Sequence, residues 1–203
     1  MKDDLHAPTV AGETMLQRLF LSARSQNGWH PDPVSDESLV EAYNIAKWGP
    51  TSMNTQPMRL VFLRSHEAKE RLKPALSPGN VEKAISAPVV AIIAYETEFH
   101  AHLNKTFPHK PNAAALFESN QSLRETTAFR NGSLQGAYFM LALRAVGLDV
   151  GPMSGFDAAK VDAEFFSASS WRVNFLCCIG RGDTTKVFER LPRLTFDDVA
   201  RSL

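Results

Sequence analysis

Cysteine is almost absent from this sequence, which contains only the neighbours Cys177 and Cys178. A disulfide framework is therefore excluded, because two adjacent cysteines cannot link distant segments. The run around them, residues 175–179, is apolar and predicts a strand, in which successive side chains point to opposite faces. The two thiols therefore cannot chelate one metal ion together, and we predict that both are core residues.

An excess of either charge is also lacking, because 22 lysines and arginines balance 22 aspartates and glutamates. The chain thus has no net field that would attract nucleic acid or an anionic membrane non-specifically, and any anion site must be local. No stretch approaches the roughly eighteen uninterrupted apolar residues of a membrane span. Residues 1–12 are polar and lack the basic start and apolar run of a secretory signal. We expect a cytoplasmic protein that binds neither nucleic acid nor membrane.

The sequence lacks the motifs of several large enzyme classes: the phosphate-binding loop with its lysine, a complete GxGxxG, the GxSxG elbow and HExxH. Residues 180–182 (GRG) form only half of a dinucleotide fingerprint and are typical of a turn after a strand. His100 and His102 could ligate a metal from alternate positions of a strand, but their surroundings are polar and irregular, which favours a solvated pair. No metal site is therefore predicted.

What is present is the composition of an ordinary folded protein, with 44% hydrophobic and 22% charged residues among 203. No repeat, low-complexity run or linker divides the chain, so we predict one domain over residues 1–203. Strands are predicted over residues 59–64, 88–95 and 171–180. Helices are predicted over residues 13–24, from residue 36, and over residues 65–72, 81–86, 116–146 and 157–166. Helices and strands are therefore interspersed along the chain.

The longest predicted helix, residues 116–146, is apolar on nearly all sides between residues 134 and 143. One face of a sheet cannot cover such a circumference, so the helix is expected to pack against the sheet and against a second subunit. The pattern therefore predicts a dimer. The polar, proline-containing segment 97–119 is expected to form a mobile flap over a site.

Polar residues between a helix and a strand form the first of three candidate binding clusters, residues 48–60 (WGPTSMNTQPMRL). Pro50 ends the helix, Thr51 and Ser52 supply hydroxyls, and Asn54 and Gln56 supply amides, a set that could surround a polar heterocycle and its ribityl chain. Taken alone, the cluster is better explained as a polar capping loop.

The second cluster is residues 24–27 (RSQN), where an arginine beside a serine suits a phosphate. An arginine at a helix end can also interact with the last carbonyls of that helix, so this cluster alone does not decide. The third cluster, residues 151–157 (GPMSGFD), contains glycines that would let the backbone approach a flat ligand closely. By itself it is a turn before a capped helix.

Taken together, the three clusters resemble the nitroreductase family, whose members typically carry an Arg-Ser element, a PSSxNxQPW-like loop, a P-x-x-G-F-D turn and a late L-P-K/R. The counterparts here, in the same order, are Arg24-Ser25, PTSMNTQPM from Pro50, PMSGFD from Pro152 and LPR from Leu191. Further matches narrow the resemblance to members that reduce malonic semialdehyde to 3-hydroxypropionate. These are NGW at Asn27, KWGPTS at Lys47, ETTAFRN at Glu125, GLDVGPMSGFD at Gly147 and RLPRL at Arg190.

The resemblance implies an α+β fold with a central mixed β-sheet surrounded by helices, in an interlocked homodimer with one FMN in each of two interface sites. It also implies ping-pong chemistry, in which NADH or NADPH gives a hydride to flavin N5 and leaves before the acceptor takes the hydride from the same face. Three alternatives stay open: a broad-specificity nitroreductase or quinone reductase, a flavin-binding protein without turnover, and a flavin-free interaction protein.

The resemblance assigns roles to four groups of residues, two of them as follows. Arg24, Ser25 and Arg193 would hold the FMN phosphate. The flavin would be lined from the partner subunit by Pro50, Thr51, Ser52 and Asn54. Both subunits would therefore build each site.

Asn80 and Lys83 match the polar pair that the family places beside the ribityl chain and the pyrimidine edge, and the lysine cation would stabilise the anionic reduced flavin. Ser154 and Gly155 fall where the family places a backbone amide near flavin N5. Lys83 and Ser154 are therefore the catalytic candidates. A solvated helix charge is the alternative for Lys83.

Two departures from the family pattern affect these assignments. Asn27, which we still place among the FMN-binding residues, stands where many relatives have a second basic residue near the flavin N1/O2 edge. Met58 stands where many have an aromatic residue after Gln-Pro, which changes the shape of the pocket. An acceptor such as malonic semialdehyde would also need a cation for its carboxylate, and Arg130 and His109 are candidates on charge alone.

Overall fold

The structure is a computed structural model and describes residues 14–203. The polar N-terminal stretch and the first residue of the predicted helix 13–24 lie outside the described residues. Within the described part, no helix combines the length and apolar character needed to cross a membrane. Residues 14–203 also contain no cluster of three or more histidine, cysteine or acidic side chains that could hold a metal ion.

A four-stranded sheet forms the centre of the structure, in the order β1 (Met58–Leu63), β2 (Val89–Glu96), β4 (Trp171–Gly180) and β3 (Asp149–Met153). The β2 strand is buried along nearly its whole length, because it pairs on both sides and is covered on both faces. The strands predicted over 59–64, 88–95 and 171–180 are confirmed as β1, β2 and β4. The sequence did not predict β3.

The expectation of a mixed sheet is corrected, because all three ladders between these strands are antiparallel. In the described part of the chain the parallel component is an isolated bridge between Ser25 and Val150. The segment that precedes α1 therefore runs parallel to β3 for one residue only. It then turns away, and Trp29 bridges Gly182 in the antiparallel sense.

Eight α-helices of the described residues surround the sheet. They are α1 (Asp36–Ala46), α2 (His66–Leu72), α3 (Pro78–Ser86), α4 (Leu103–Thr106), α5 (Ala113–Glu118), α6 (Gln121–Ala145), α7 (Ala158–Phe165) and α8 (Phe196–Val199). Short 3-10 helices cover Ser52–Asn54, Lys73–Ala75, Phe99–His102 and Thr184–Lys186, and a π-helical turn covers Gln17–Leu21. The α+β fold predicted from the sequence is confirmed.

Side-chain caps set several of the helix starts. Ser35, Ser65 and Asp157 each accept a hydrogen bond from the main-chain N–H three residues later, at the starts of α1, α2 and α7. The predicted helix 116–146 is divided, because the Asn120 side chain accepts a hydrogen bond from Leu123 N and starts α6 there. The predicted helix 81–86 begins earlier, with Pro78 in the first turn of α3.

The sheet is covered by a helical layer on each face. On one face α1 and α6 enclose a core that includes Phe139, Leu143 and Ile93. On the other face α2, α3 and α7 enclose a core that includes Leu72 and Leu176. Because both faces are sealed by apolar packing, the polar residues of a site can collect only at the edges and ends of the sheet.

The two cysteines lie in β4 and are fully buried, as predicted. Cys177 packs in the core on the α1 and α6 side, and Cys178 packs in the core on the opposite face. Burial raises the pKa of the Cys177 thiol to about 12 and raises the pKa of the Cys178 thiol as well. Both side chains are therefore unreactive core residues.

The segment expected to be a polar flap, residues 97–119, folds into a 3-10 helix, α4 and α5 around a small core of its own. This flap core contains Phe99, Leu103, Ala113 and Phe117, together with Ala128 of α6. The prediction of a solvated histidine pair is half wrong. His100 is buried, because its neighbour Phe99 packs in the flap core, and its Nε2 lies 3.4 Å from the Glu98 carboxylate. His102 is exposed.

Candidate functional site

The predicted ligand-binding residues gather at two places, and the first lies along the outer edge of β3. Ser25 bridges Val150, and the main-chain N–H of Gln26 donates to the Val150 carbonyl at 3.0 Å. This pairing places Arg24, Ser25 and Asn27 beside the strand. We call the residues collected here the β3-edge group. Its members are Arg24, Ser25, Asn27, Asn80, Lys83, Ser154 and Gly155.

The start of α3 is fastened to the turn that follows β3. Asn80 donates from Nδ2 to the Gly155 carbonyl at 2.9 Å, and the Ser77 N–H donates to the same carbonyl at 3.0 Å. A Cβ atom at Gly155 would lie 2.6 Å from Asn80 Nδ2. The close approach therefore requires glycine, and it brings Asn80 and the Ser154-Gly155 backbone together.

Lys83 is a buried cation without an anionic partner. It is 8% exposed, and its Nζ donates to the Pro152 carbonyl at 3.5 Å. No carboxylate of residues 14–203 lies within 4.0 Å of Nζ. The Lys83 main chain is held from the other side, where its carbonyl accepts a hydrogen bond from Trp29 Nε1 at 3.1 Å. Because a buried charge without a partner is costly, this position suits an anionic ligand.

The residues predicted to hold the FMN phosphate lie in two places, beside β3 and in the C-terminal tail, residues 183–203. The Arg24 guanidinium donates to the Phe188 carbonyl, which brings the tail against the start of the β3-edge group. Arg193 does not join them, because its guanidinium donates to the carbonyls of Leu191 and Pro192 in the exposed tail.

Arg190 was missed by the sequence reasoning and lies close to Arg24. It donates to the carbonyls of Leu21 at 2.7 Å and Ala23 at 3.1 Å. Its motif, RLPRL, carries two arginines, and the spacing alone did not show which of them would reach the residues before Ser25.

The second place is the loop between α1 and β1, residues 50–57, which we call the α1–β1 loop. Met53, Asn54 and Gln56 have φ values of 50°, 51° and 44°, in the left-handed region. For residues other than glycine this conformation costs about 1–3 kcal/mol each and persists only where the surroundings enforce it. The loop carries Pro50, Thr51, Ser52 and Asn54, so all the residues predicted to line a ligand from a partner lie here.

Helix α6 enforces this conformation with polar side chains that the sequence reasoning missed. Asn131 accepts a hydrogen bond from Ser52 N at 2.8 Å, and Gln135 accepts one from Met58 N at 2.9 Å. Both amides are almost fully buried, at 2% and 4% exposure. Two amides four residues apart, and therefore on one face of the helix, were the available sign of this role.

The end of the loop is also stabilised by charge. The Glu96 N–H donates to the Pro57 carbonyl at 2.8 Å, and its buried carboxylate accepts from Trp171 Nε1 at 2.8 Å. Burial acts to raise the pKa of this carboxyl. Hydrogen bonds from Ser170 and from the Glu98 N–H, with the charge of Arg59 at 3.8 Å, outweigh it and hold the pKa below the ordinary value.

The two groups lie at opposite edges of the sheet. The α1–β1 loop leads into edge strand β1, and the β3-edge group borders the other edge strand. Three strand spacings separate these edges, which is about 14 Å across the sheet. One chain therefore presents two half-sites and does not bring them together.

The sequence matches the model of the Nitroreductase family over residues 20–181, which is most of the chain. The chain therefore belongs to the nitroreductase family. It is 53% identical over 193 residues to a protein of Burkholderia lata that carries the name NADH dehydrogenase/NAD(P)H nitroreductase, covering 95% of this chain and 98% of that one. A protein of Cupriavidus pinatubonensis with the same name is 52% identical over 189 residues, covering 92% and 96%.

Solved structures share the fold. A nitroreductase from Exiguobacterium sibiricum in complex with FMN superposes with a TM-score of 0.83 at 18% identity, covering 97% of this chain and all of that one. The nitroreductase ydfN of Bacillus subtilis superposes with a TM-score of 0.82 at 23% identity, covering 93% and 98%. These likenesses establish the nitroreductase-like fold.

The amide of Asn131 gives a test of how the α1–β1 loop is held. Asn131→Ala leaves the Ser52 N–H without its partner, so we expect the free energy of unfolding to fall by about 1–3 kcal/mol. Urea denaturation followed by circular dichroism measures the change. Gln121→Ala, which removes an exposed amide from the same helix, is the control and should change stability by less than about 0.5 kcal/mol. Equal effects of the two substitutions would contradict the role of Asn131.

Proposed function

We propose that the protein is an FMN-dependent NAD(P)H oxidoreductase that works as a homodimer and reduces malonic semialdehyde to 3-hydroxypropionate. The observation that carries the proposal is the buried Lys83 cation at the Pro152 carbonyl, with no carboxylate partner in the described part of the chain. A cation fixed in this way suits a ligand that becomes negatively charged as it is reduced.

The residues of the two half-sites fit FMN. At the β3 edge, Arg24 and Ser25 supply a guanidinium and a hydroxyl for the phosphate, and Arg190 or Arg193 of the tail supplies a further cation. Asn80 would reach the ribityl chain. Gly155 has no side chain, so Asn80 can approach its backbone closely. A flat ring would need the same access to this backbone.

When bound, FMN supplies the ring that accepts a hydride from NAD(P)H and passes one to the acceptor. The protein supplies orientation, electrostatics and exclusion of water. Lys83 stabilises negative charge at the pyrimidine edge, and the backbone at Ser154 and Gly155 offers a donor that needs no particular side chain. The hydroxyls and amides of the α1–β1 loop hold the ring from the other subunit.

A homodimer follows from the separation of the two half-sites. If the α1–β1 loop of one subunit meets the β3-edge group of its partner, each interface contains a complete site. The described residues also expose large apolar side chains in two terminal segments and on α6. They are Met15, Leu16, Phe20, Leu21, Phe129, Leu134, Phe188, Leu191, Leu194, Phe196 and Val199. Apolar surface of this extent is typical of a subunit interface.

The C-terminal tail supports an interlocked arrangement. Its exposed apolar residues alternate with charged residues of both signs, such as Glu189, Arg190 and Arg193. A groove of about 1090 Å³ along α1 is lined by Asp36, Glu37, Glu41 and the apolar Val40 and Trp48, among others. We propose that the partner's tail crosses this surface, with its exposed apolar side chains against Val40 and Trp48.

The identity of the electron acceptor is the most specific part of the proposal. The RLPRL, ETTAFRN and GLDVGPMSGFD segments favour malonic semialdehyde. The names of relatives at 52% and 53% identity favour a broad nitroreductase or quinone reductase instead, which would use an open apolar pocket without a carboxylate anchor. The two buried free thiols are compatible with the reducing cytoplasm, where we place the protein.

The visible spectrum of the purified protein tests the proposal. Flavin absorption bands should bleach with anaerobic NADH or NADPH and return on addition of malonic semialdehyde. Bands that return only with quinones or nitroaromatics would favour the general reductase. A colourless protein that ignores added FMN would overturn the assignment.

Lys83→Met tests the electrostatic role of this lysine. We expect flavin reduction by NADH to slow by on the order of 100-fold, because a preorganised charge is lost, while FMN affinity changes by less than about tenfold. Stopped-flow absorbance and FMN titration measure the two effects. Lys69→Met is the matched control, since Lys69 is equally buried at 8% exposure but donates to the carbonyls of Ile85 and Ala87. An unchanged reduction rate in Lys83→Met would remove the assignment.

Subunit mixing tests the shared site. Lys83→Glu damages the β3-edge group, and Ser52→Trp blocks the α1–β1 loop at an exposed position. Each variant alone should be inactive. Co-expressed subunits should regain up to about a quarter of wild-type activity, because half of the dimers are mixed and each mixed dimer has one intact site. Mixed dimers that stay inactive would refute the sharing of sites.

A further inference from the structure

The stretch of the flap between its acidic residues Glu98 and Glu118 carries charge of one sign over residues 99–112. Residues 99–112 contain Lys105, Lys110 and three of the six histidines, but no aspartate or glutamate, in a chain whose net charge is zero. A local excess of this kind on a neutral protein marks a surface that attracts anions. Residues 99–112 are therefore a basic stretch, and they lie close to the α1–β1 loop.

The flap cations are exposed and unpaired. Lys105, His109 and Lys110 are exposed, and none has an acidic partner within 4.0 Å among residues 14–203. Two other exposed lysines have such partners, Lys73 with Glu70 at 3.0 Å and Lys160 with Asp157 at 3.8 Å. The flap cations are thus free to bind an incoming anion.

The flap is fixed to the α1–β1 loop. Asn54 donates from Nδ2 to the Thr106 carbonyl at 2.7 Å, next to Lys105. Met53 and Phe107 both pack against the flap core. The Phe107 ring in turn contacts the His109 ring, with centroids 4.0 Å apart. The cations therefore keep a set position relative to the loop.

We propose that Lys105, His109 and Lys110 bind the carboxylate of the electron acceptor and make the enzyme selective for acceptors that carry one. The inference rests on the proposed function, in which the α1–β1 loop lies against the partner's flavin and brings the flap to the acceptor. Arg130, the other candidate on charge, lines a different cavity of about 720 Å³, which Glu125 also lines.

The test compares 4-nitrobenzoate with 4-nitrobenzamide, which have the same ring and nitro group but differ in charge. We expect kcat/KM to favour the carboxylate by about tenfold, and the preference to shrink as ionic strength rises. In the double variant Lys105→Gln/Lys110→Gln the preference should disappear, because kcat/KM falls for 4-nitrobenzoate and stays unchanged for 4-nitrobenzamide. It should survive in Lys105→Arg/Lys110→Arg and in the control Lys73→Gln/Lys160→Gln.

Calorimetric titration with benzoate gives a second readout that needs no turnover. Benzoate should bind the wild-type holoenzyme and bind the Lys105→Gln/Lys110→Gln variant about tenfold more weakly. Equal kcat/KM for the two nitro compounds in the wild type, or equal benzoate affinity in the wild type and this variant, would overturn the anchor. Benzoate binding that depends on the two lysines, in a protein that NAD(P)H cannot reduce, would uphold the anchor while refuting the proposed oxidoreductase.

Discussion

The width of the sheet is the constraint on which the rest of the structure depends. Four antiparallel strands separate the α1–β1 loop from the β3-edge group, and apolar helices seal both faces between them. Polar side chains can therefore collect only at the two edges. A ligand that needs both groups must be bound between two copies of the chain.

Much of the fold could be predicted from local sequence. The apolar runs of β2 and β4 and the caps at Ser35, Ser65 and Asp157 depend on neighbouring residues, and the structure confirms them. The β3 strand could not be predicted in this way, because Gly151 and Pro152 disfavour a strand and only the pairing with β4 creates it.

The candidate site follows a similar division. The residue types at Arg24, Asn54 and Lys83 suggested a ligand once the family resemblance was recognised. Their partners are distant in sequence: Arg24 donates to Phe188 across 164 positions, and Asn54 donates to Thr106 across 52. Contacts of this range depend on tertiary packing, which periodicity and local propensity do not encode.

The left-handed residues of the α1–β1 loop also link it to the flap. Met53 and Asn54 each adopt an unfavourable backbone conformation, and the side chain of each contacts the flap, through the flap core and through Thr106. Part of what offsets the backbone strain therefore comes from the flap itself. Loop and flap form one mechanical unit, so lifting the flap away would let the loop relax. Movement of the flap and the backbone conformation of the loop are thereby coupled, although the two segments are far apart in sequence.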